Sequence, residues 1–306
     1  MARWFVRRLL AAVIVLWAVS SIIFVVTNVF TDPAAVSLPL NASEEQRQQR
    51  RENLGLDRPL VEQYVDFLGG LATFDIGDSF WQERPAYDIV LERLPNTLRL
   101  VGAGMAFSIL LAVPLGILSV VFERRFPDFA VLGFSLASIS APPFWIGYLL
   151  IIVFAVNLGW VPSSGSNGWR ALVLPAVSIG LASAGRLSQM LRRAIIDELR
   201  QPYALTARSR GFSRQYTIVH HAFRNVGAGF ATFSGWEMTR MFTGYTVVIE
   251  VVFSWPGVGL LAFQSVEQKD LILLEGAVLM LAALVVATNF AIDLLRRAID
   301  PRVELA

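Results

Sequence analysis

Cysteine is absent from this chain of 306 residues, so disulfides and thiolate metal sites are excluded. Histidine occurs only at the adjacent positions His220 and His221. Neighbours in sequence face different sides of a helix, so they cannot form a metal pair at i, i+4, and no H-E-x-x-H is present. Lysine occurs once, at Lys269, with no glycines before it. The chain therefore lacks G-x-x-x-x-G-K-[ST], the loop that cradles nucleotide phosphates, and is not itself an ATPase of that type. Charge is scarce too: 16% of residues against about a quarter in soluble proteins. The formal net charge is +2 and the arginines are spread among loops, which excludes nucleic acid as a partner. Ser234 lies in an apolar stretch with no histidine at the same depth to act as a base, so an intramembrane serine protease is disfavoured.

What remains is apolar. Hydrophobic residues make up 55% of the chain, and the mean hydropathy is +0.56. Six stretches approach the length of about 20 residues that a bilayer core requires: 9–30, 100–122, 129–158, 171–191, 226–253 and 271–295. The first follows Arg3, Arg7 and Arg8 and exceeds the apolar core of a secretory signal, so it reads as a retained span. With six spans, Arg124, Arg125, Arg192, Arg193, Arg200, Arg208, Arg210, Arg214, Arg224, Arg296, Arg297 and Arg302 fall on the same side as the N-terminal arginines. The opposite short loops carry only Arg170 and Lys269. Positive residues mark the cytoplasmic side, which predicts both termini in the cytoplasm and a multi-pass protein of a bacterial inner membrane. The expected division is 1–30 as first span, 31–97 as external loop region and 98–306 as a core of five spans.

The external loop has helical punctuation. Ser43 with Gln46 forms a capping box, and Gly55 is placed to end that helix. Asp57 is positioned to cap a second helix, with Leu60, Val61, Tyr64, Val65 and Leu68 on one face and Gly69-Gly70 as its stop. The loop is either a packed cap on the outer face or a docking surface for a soluble partner.

The polar, arginine-rich segment 201–225 is wedged between two of the apolar stretches, within a cytoplasmic loop 192–226. Proline favours a first helical position and glycine the position just past the end, so Pro202 and Gly211 bracket a short helix at 202–210. Ser213 should cap a following helix that runs through His221. Ala204, Ala207 and Gly211 make a stripe of small residues that allows close approach of a partner protein.

These residues resemble the cytoplasmic signature of binding-protein-dependent ABC importer permeases, most closely the B-type subunit of the oligopeptide/dipeptide/nickel branch. Tyr203, Thr206, Ala207, Arg208, Gly211, Ser213, His221, Ala222, Arg224 and Asn225 match its pattern. LGLDRPL at 54–60, LPNTLRL at 94–100, Pro142-Pro143, GWVPSSG at 159–165, VVIEVVFSWPGVG at 247–259 and DPRV at 300–303 extend the likeness along nearly the whole chain. Three positions depart from the pattern. Pro202 stands for the usual Asp, Leu205 for a common Arg, and Gly229 for the proline that usually opens the fifth span.

The resemblance implies an all-α polytopic protein of six transmembrane helices with the type I ABC importer permease fold and a helical external loop after the first span. It implies a second homologous permease, two cytoplasmic P-loop ATPases that bind the ATP and Mg, an extracytoplasmic solute-binding protein, and surrounding membrane lipid. The chain itself would bind no cofactor and catalyse no reaction. Peptide is the first solute implied, with nickel, glutathione, opines or oligosaccharides as alternatives. Pro202, Tyr203, Ala204, Thr206, Ala207, Arg208, Arg210 and Gly211 would form the coupling helix seated on an ATPase, with His221, Arg224 and Asn225 locking it to the span bases or touching the ATPase.

Charges inside apolar stretches are costly and usually face a partner or a cavity. Glu237 and Arg240 are i, i+3 and suit an ion pair; with Glu250 and Trp255 they are candidates for the translocation path. Arg186, six residues before Arg192, is placed to extend to the interface. The rival class is an ion-coupled secondary carrier using Glu237, Arg240 and Glu250, but no inverted repeat of the kind such carriers often show is evident.

Overall fold

A computed structural model describes residues 2–29, 31–38, 43–53 and 55–299. The DPRV segment at 300–303, Arg302 within it and Leu54 of the LGLDRPL motif lie outside the described residues. The described chain is helical. Its elements are α1 (Ala2–Asn28), α2 (Pro33–Ser37), α3 (Glu44–Asn53), α4 (Leu60–Thr73), α5 (Ala86–Val121), α6 (Phe126–Ser140) and α7 (Pro143–Leu150). They continue with α8 (Trp169–Glu198), α9 (Pro202–Ser209), α10 (Arg214–Tyr216), α11 (Phe223–Arg240), α12 (Thr246–Val252), α13 (Val258–Glu267) and α14 (Leu271–Ile299). Wider π turns at Ile151–Asn157, Thr217–Ala222 and Met241–Tyr245 extend α7 and join α10 to α11 and α11 to α12.

Among the described residues, four helices are long and apolar enough to cross a membrane: α1 from Phe5, α5, α8 and α14. The expected span 129–158 is not one straight helix. It is the pair α6 and α7, the latter with its π turn, bent by 103°. Pro142 and Pro143 cause the break: neither offers an N–H, and a residue before proline is pushed out of the helical region. Ala141 accordingly has φ −81° and ψ 129°. The expected span 226–253 belongs to a longer helical run, from Arg214 to Val252, that is not uniformly apolar. Arg224, Glu237 and Arg240 all fall within the 18 residues of α11.

The chain divides into two compact units, 1–97 with 256–287 and 98–255 with 288–306. In the first, Ala86, Ile89 and Val90 of α5 pack with Val258, Leu261 and Ala262 of α13 and with Leu273 and Ala277 of α14. Asp270 fixes the start of α14: one carboxylate oxygen accepts from Leu273 N, the other from the Ser79 hydroxyl and Trp81 N. The capping box of α3 forms as predicted, with Ser43 N to Gln46 Oε1 at 3.0 Å and Gln46 N to Ser43 Oγ at 3.2 Å. Two loop expectations fail. Asp57 does not cap α4, whose N-cap is Pro59 with no side-chain bond. Gly69-Gly70 does not stop it either; α4 runs to Thr73 and ends at left-handed Phe74. Asp75 N instead bonds Gly70 O at 2.8 Å as the chain folds back.

In the second unit α8 is the central helix. It buries Ser178, Ser183, Gly185 and Ser188 among its 15 buried residues. Small residues are what let two helices touch backbone to backbone. A Cβ on Gly185 would stand 2.2 Å from Ser138 Oγ and 2.9 Å from Ser135 O, so α6 packs there only because glycine has none. Two of the motifs also meet in this unit: Gly165 of GWVPSSG donates its N–H to Phe253 O at 2.9 Å.

Candidate functional site

The loop after α8 is built as a self-contained handle. Pro202 opens α9, and Gln201 before it is extended at φ −70° and ψ 151°. Arg210 closes it, and Gly211 follows at φ +89°. Gly211 N bonds Arg208 O at 3.0 Å and Phe212 N bonds Ala207 O at 3.3 Å. That pair of bonds is the Schellman ending, which needs a left-handed residue where Gly211 stands. Ser213 then accepts from Tyr216 N at 3.2 Å and caps α10. Both boundaries follow the proline, glycine and serine placed there by the sequence.

α9 packs on the π turn 217–222. Its small stripe is used for this contact: Ala204 is 0% and Ala207 9% exposed. The expectation that these alanines offer close approach to a partner is therefore corrected; they are consumed inside the handle. Gly211 is exposed, with open space around its Cα. Outward-facing instead are Leu205 (56%), Phe212 and Tyr216, together with Arg208 and Arg210. Neither of these two arginines makes an ion pair within the chain among the described residues. The Thr206 hydroxyl bonds back to Pro202 O. Leu205 is exposed where an arginine is common in the pattern, so this chain presents an apolar contact at that point.

One carboxylate ties the handle to α8. Glu198 accepts from the Tyr203 hydroxyl and from Asn225 Nδ2, the latter at 3.5 Å. Burial, and then the Glu198 carboxylate beside it, push the Tyr203 phenol up to about 12. Sequence reasoning missed Glu198; its signal was an acid at the very end of an arginine-rich helix. It also missed the aromatic stack of Phe212 on Tyr216 (5.0 Å) and Tyr216 on His220 (4.2 Å). His221 meets Tyr216 edge-on at 5.8 Å, and its Nε2 is buried without a hydrogen-bond partner among the described residues. His221 is thus part of the handle's interior, whereas Arg224 is exposed.

Deeper in α8 the charges pair differently from expectation. Arg186 does not extend to an interface; its Nε lies 2.9 and 2.8 Å from the Glu237 oxygens and its second nitrogen at 2.8 Å. A buried carboxylate needs a fully committed donor set, and Arg186 supplies it in fork geometry. Arg240, the predicted partner, reaches Glu237 only at 3.7 Å with its own side chain 60% exposed. A second buried pair, unforeseen, joins Arg192 to Asp128, which also accepts from the Ser119 hydroxyl and from Arg124 N. Glu250 and Trp255 are 0% and 3% exposed, so neither lines an open surface of the chain.

Comparison with known proteins agrees with this architecture. Residues 108–305 match the family model of binding-protein-dependent transport system inner membrane components, and residues 1–101 match that family's N-terminal region. The glutathione transport system permease protein GsiC of Escherichia coli (strain K12) is 31% identical over 99% of both chains. A protein of Brucella suis biovar 1 designated a peptide transport system permease is 35% identical over 97% of both. Among solved structures, a chain of the inward-facing MetNI methionine ABC transporter superposes with a TM-score of 0.58 at 18% identity. It covers 69% of this chain and 96% of its own.

Proposed function

The chain belongs to the family of binding-protein-dependent transport system inner membrane components, is a non-catalytic permease subunit of an ABC importer, and from that premise we propose how it works. It crosses the membrane six times, through α1, α5, the bent pair α6–α7, α8, the run 214–252 and α14, with both termini cytoplasmic and residues 31–97 outside. It pairs with a second permease to enclose the path, receives solute from an external binding protein, and is driven by two cytoplasmic P-loop ATPases that carry the ATP and Mg. The solute is a peptide or a glutathione-like compound, the chemistry named for the relatives above. Arg240, exposed beside Glu237, is the charged residue best placed to meet the second permease or the path.

The observation that carries the coupling role is the handle itself. A short helix is pinned by Glu198 and presents two uncommitted arginines beside exposed Leu205 and Phe212. Charged groups and apolar anchors held ready on a rigid base are what a protein interface needs. An ion-coupled carrier would need titratable groups free to exchange protons; Glu237 is instead engaged by Arg186. The test is assembly. Purified alone, the chain should hydrolyse no ATP; co-expressed with its genomic neighbours, it should copurify with a second permease and P-loop ATPases. ATP hydrolysis by this chain alone, or copurification that survives Arg208→Glu with Arg210→Glu, refutes the reading.

A further inference from the structure

In the first unit a cavity of about 220 Å³ lies among α1, α4, α14 and the loop residues between them. Its walls are mixed, with Phe24, Phe67, Ile76, Phe80 and Ile272 supplying the apolar part. Three charged residues line it: Arg58, Asp66 and Glu275. Arg58 and Asp66 form a salt bridge with each other, so their charges cancel. Glu275 has no cationic partner among the described residues and is 8% exposed.

Its hydrogen bonding is thin as well. The partner of Glu275 is the Thr27 hydroxyl. That hydroxyl has one proton, and Ile23 O at 2.9 Å and Phe24 O at 3.3 Å compete for it. Asn28 points its amide N–H groups at Phe24 O and Thr27 Oγ1 instead. A carboxylate offers about four acceptor positions, and among the described residues the Thr27 hydroxyl is the one donor that reaches it. Leaving such a group buried is costly, and a cation with several donors is what offsets the cost. An ammonium group supplies three N–H donors and one positive charge, while the ring-lined walls accept an apolar substituent.

We propose that this cavity binds a primary ammonium carrying an apolar group, with the ammonium on Glu275 and the apolar group against Phe24, Phe67 and Phe80. A peptide amino terminus has this chemistry, as do simple arylalkylamines, and the inference stands apart from the transport reading because binding is measured directly. The experiment uses the full chain in lipid nanodiscs, titrated calorimetrically with phenylalaninamide and with its neutral counterpart 3-phenylpropanamide. The expected result is binding of the amine at least tenfold tighter than of the neutral compound. Glu275→Gln should remove that preference. Leu271→Phe, which fills the cavity from α14 and keeps the carboxylate, should weaken both ligands. Equal binding of the two compounds, no binding up to about 10 mM, or a preference that survives Glu275→Gln overturns the proposal. Should Glu275→Gln fail to fold, the comparison of the two ligands on the parent chain and on Leu271→Phe decides.

Discussion

Breaking the Arg186–Glu237 pair from one side should harm the chain far more than removing it whole. Glu237 is 1% exposed at its side chain and Arg186 15%, and three nitrogen–oxygen contacts of 2.8–2.9 Å join them. Arg186→Met leaves the Glu237 carboxylate buried with only the distant, exposed Arg240 in reach; Glu237→Met strands the guanidinium. Removing one partner of a buried pair costs about 3–5 kcal/mol, whereas replacing both with apolar groups of similar size is often neutral. Each single variant should therefore lose about 3–5 kcal/mol and the double variant less than about 1. At roughly 2–4 °C per kcal/mol for chains of 150–250 residues, the singles should melt on the order of 10 °C lower. Arg240→Met, at 3.7 Å and 60% exposed, should change stability by less than about 0.5 kcal/mol. The assay is thermal unfolding of the purified chain in one fixed detergent, read as a double-mutant cycle. A double variant as unstable as the singles, or Arg240→Met as damaging as Arg186→Met, refutes the assignment of Arg186 as the partner.

Gly211 sits at φ +89° with nothing within 4 Å of where a Cβ would stand, so the main cost of a side chain there is the backbone penalty of about 1–2 kcal/mol. Gly211→Val should leave the chain inserted but uncouple ATP hydrolysis from uptake, with Gly211→Ala milder; parental transport by Gly211→Val would remove α9 from the coupling role. The raised Tyr203 phenol favours its neutral form in the folded handle, a contribution complete below about pH 10 and lost as pH rises toward 12. Ultraviolet titration should show this tyrosine ionising toward pH 12 in the parent and earlier in Glu198→Gln, and an unchanged profile would dissociate Glu198 from it. Gly185→Val should prevent α8 from closing on α6 and lower the yield of folded chain, since even a Cβ there stands 2.2 Å from Ser138 Oγ; wild-type yield and melting would contradict that packing.

The parts legible in the sequence were those decided by backbone chemistry. Pro202, Gly211 and Ser213 each constrain φ, a donor or a cap locally, and the handle forms between them as read. Ser43 and Gln46 did the same for α3. Side-chain partners were less legible because they depend on which helices meet. Glu237 has Arg240 one turn away in sequence, yet tertiary packing delivers Arg186 from α8, 51 residues distant. The alanine stripe looked available for a partner because its neighbour, the turn 217–222, carries a π geometry that periodicity does not reveal. Gly69-Gly70 misled for a related reason: α4 ends at Phe74, a residue with no ordinary preference for the left-handed region.

Two of the contacts described above stand at matching heights on the same two helices. Glu198 of α8 meets Asn225 of α11, and Arg186 of α8 meets Glu237 of α11. Twelve residues separate the two rungs on either helix, roughly 18 Å along each axis. Two rods pinned together at one point can swing like scissors; pinned at two points with equal spacing, they lose that freedom. If the handle takes the push proposed for it, the two contacts oppose hinge motion between α8 and α11 and favour displacement of both together. Cutting the Glu198–Asn225 contact alone would leave one pin, about which α8 and α11 are freer to turn, with each helix intact.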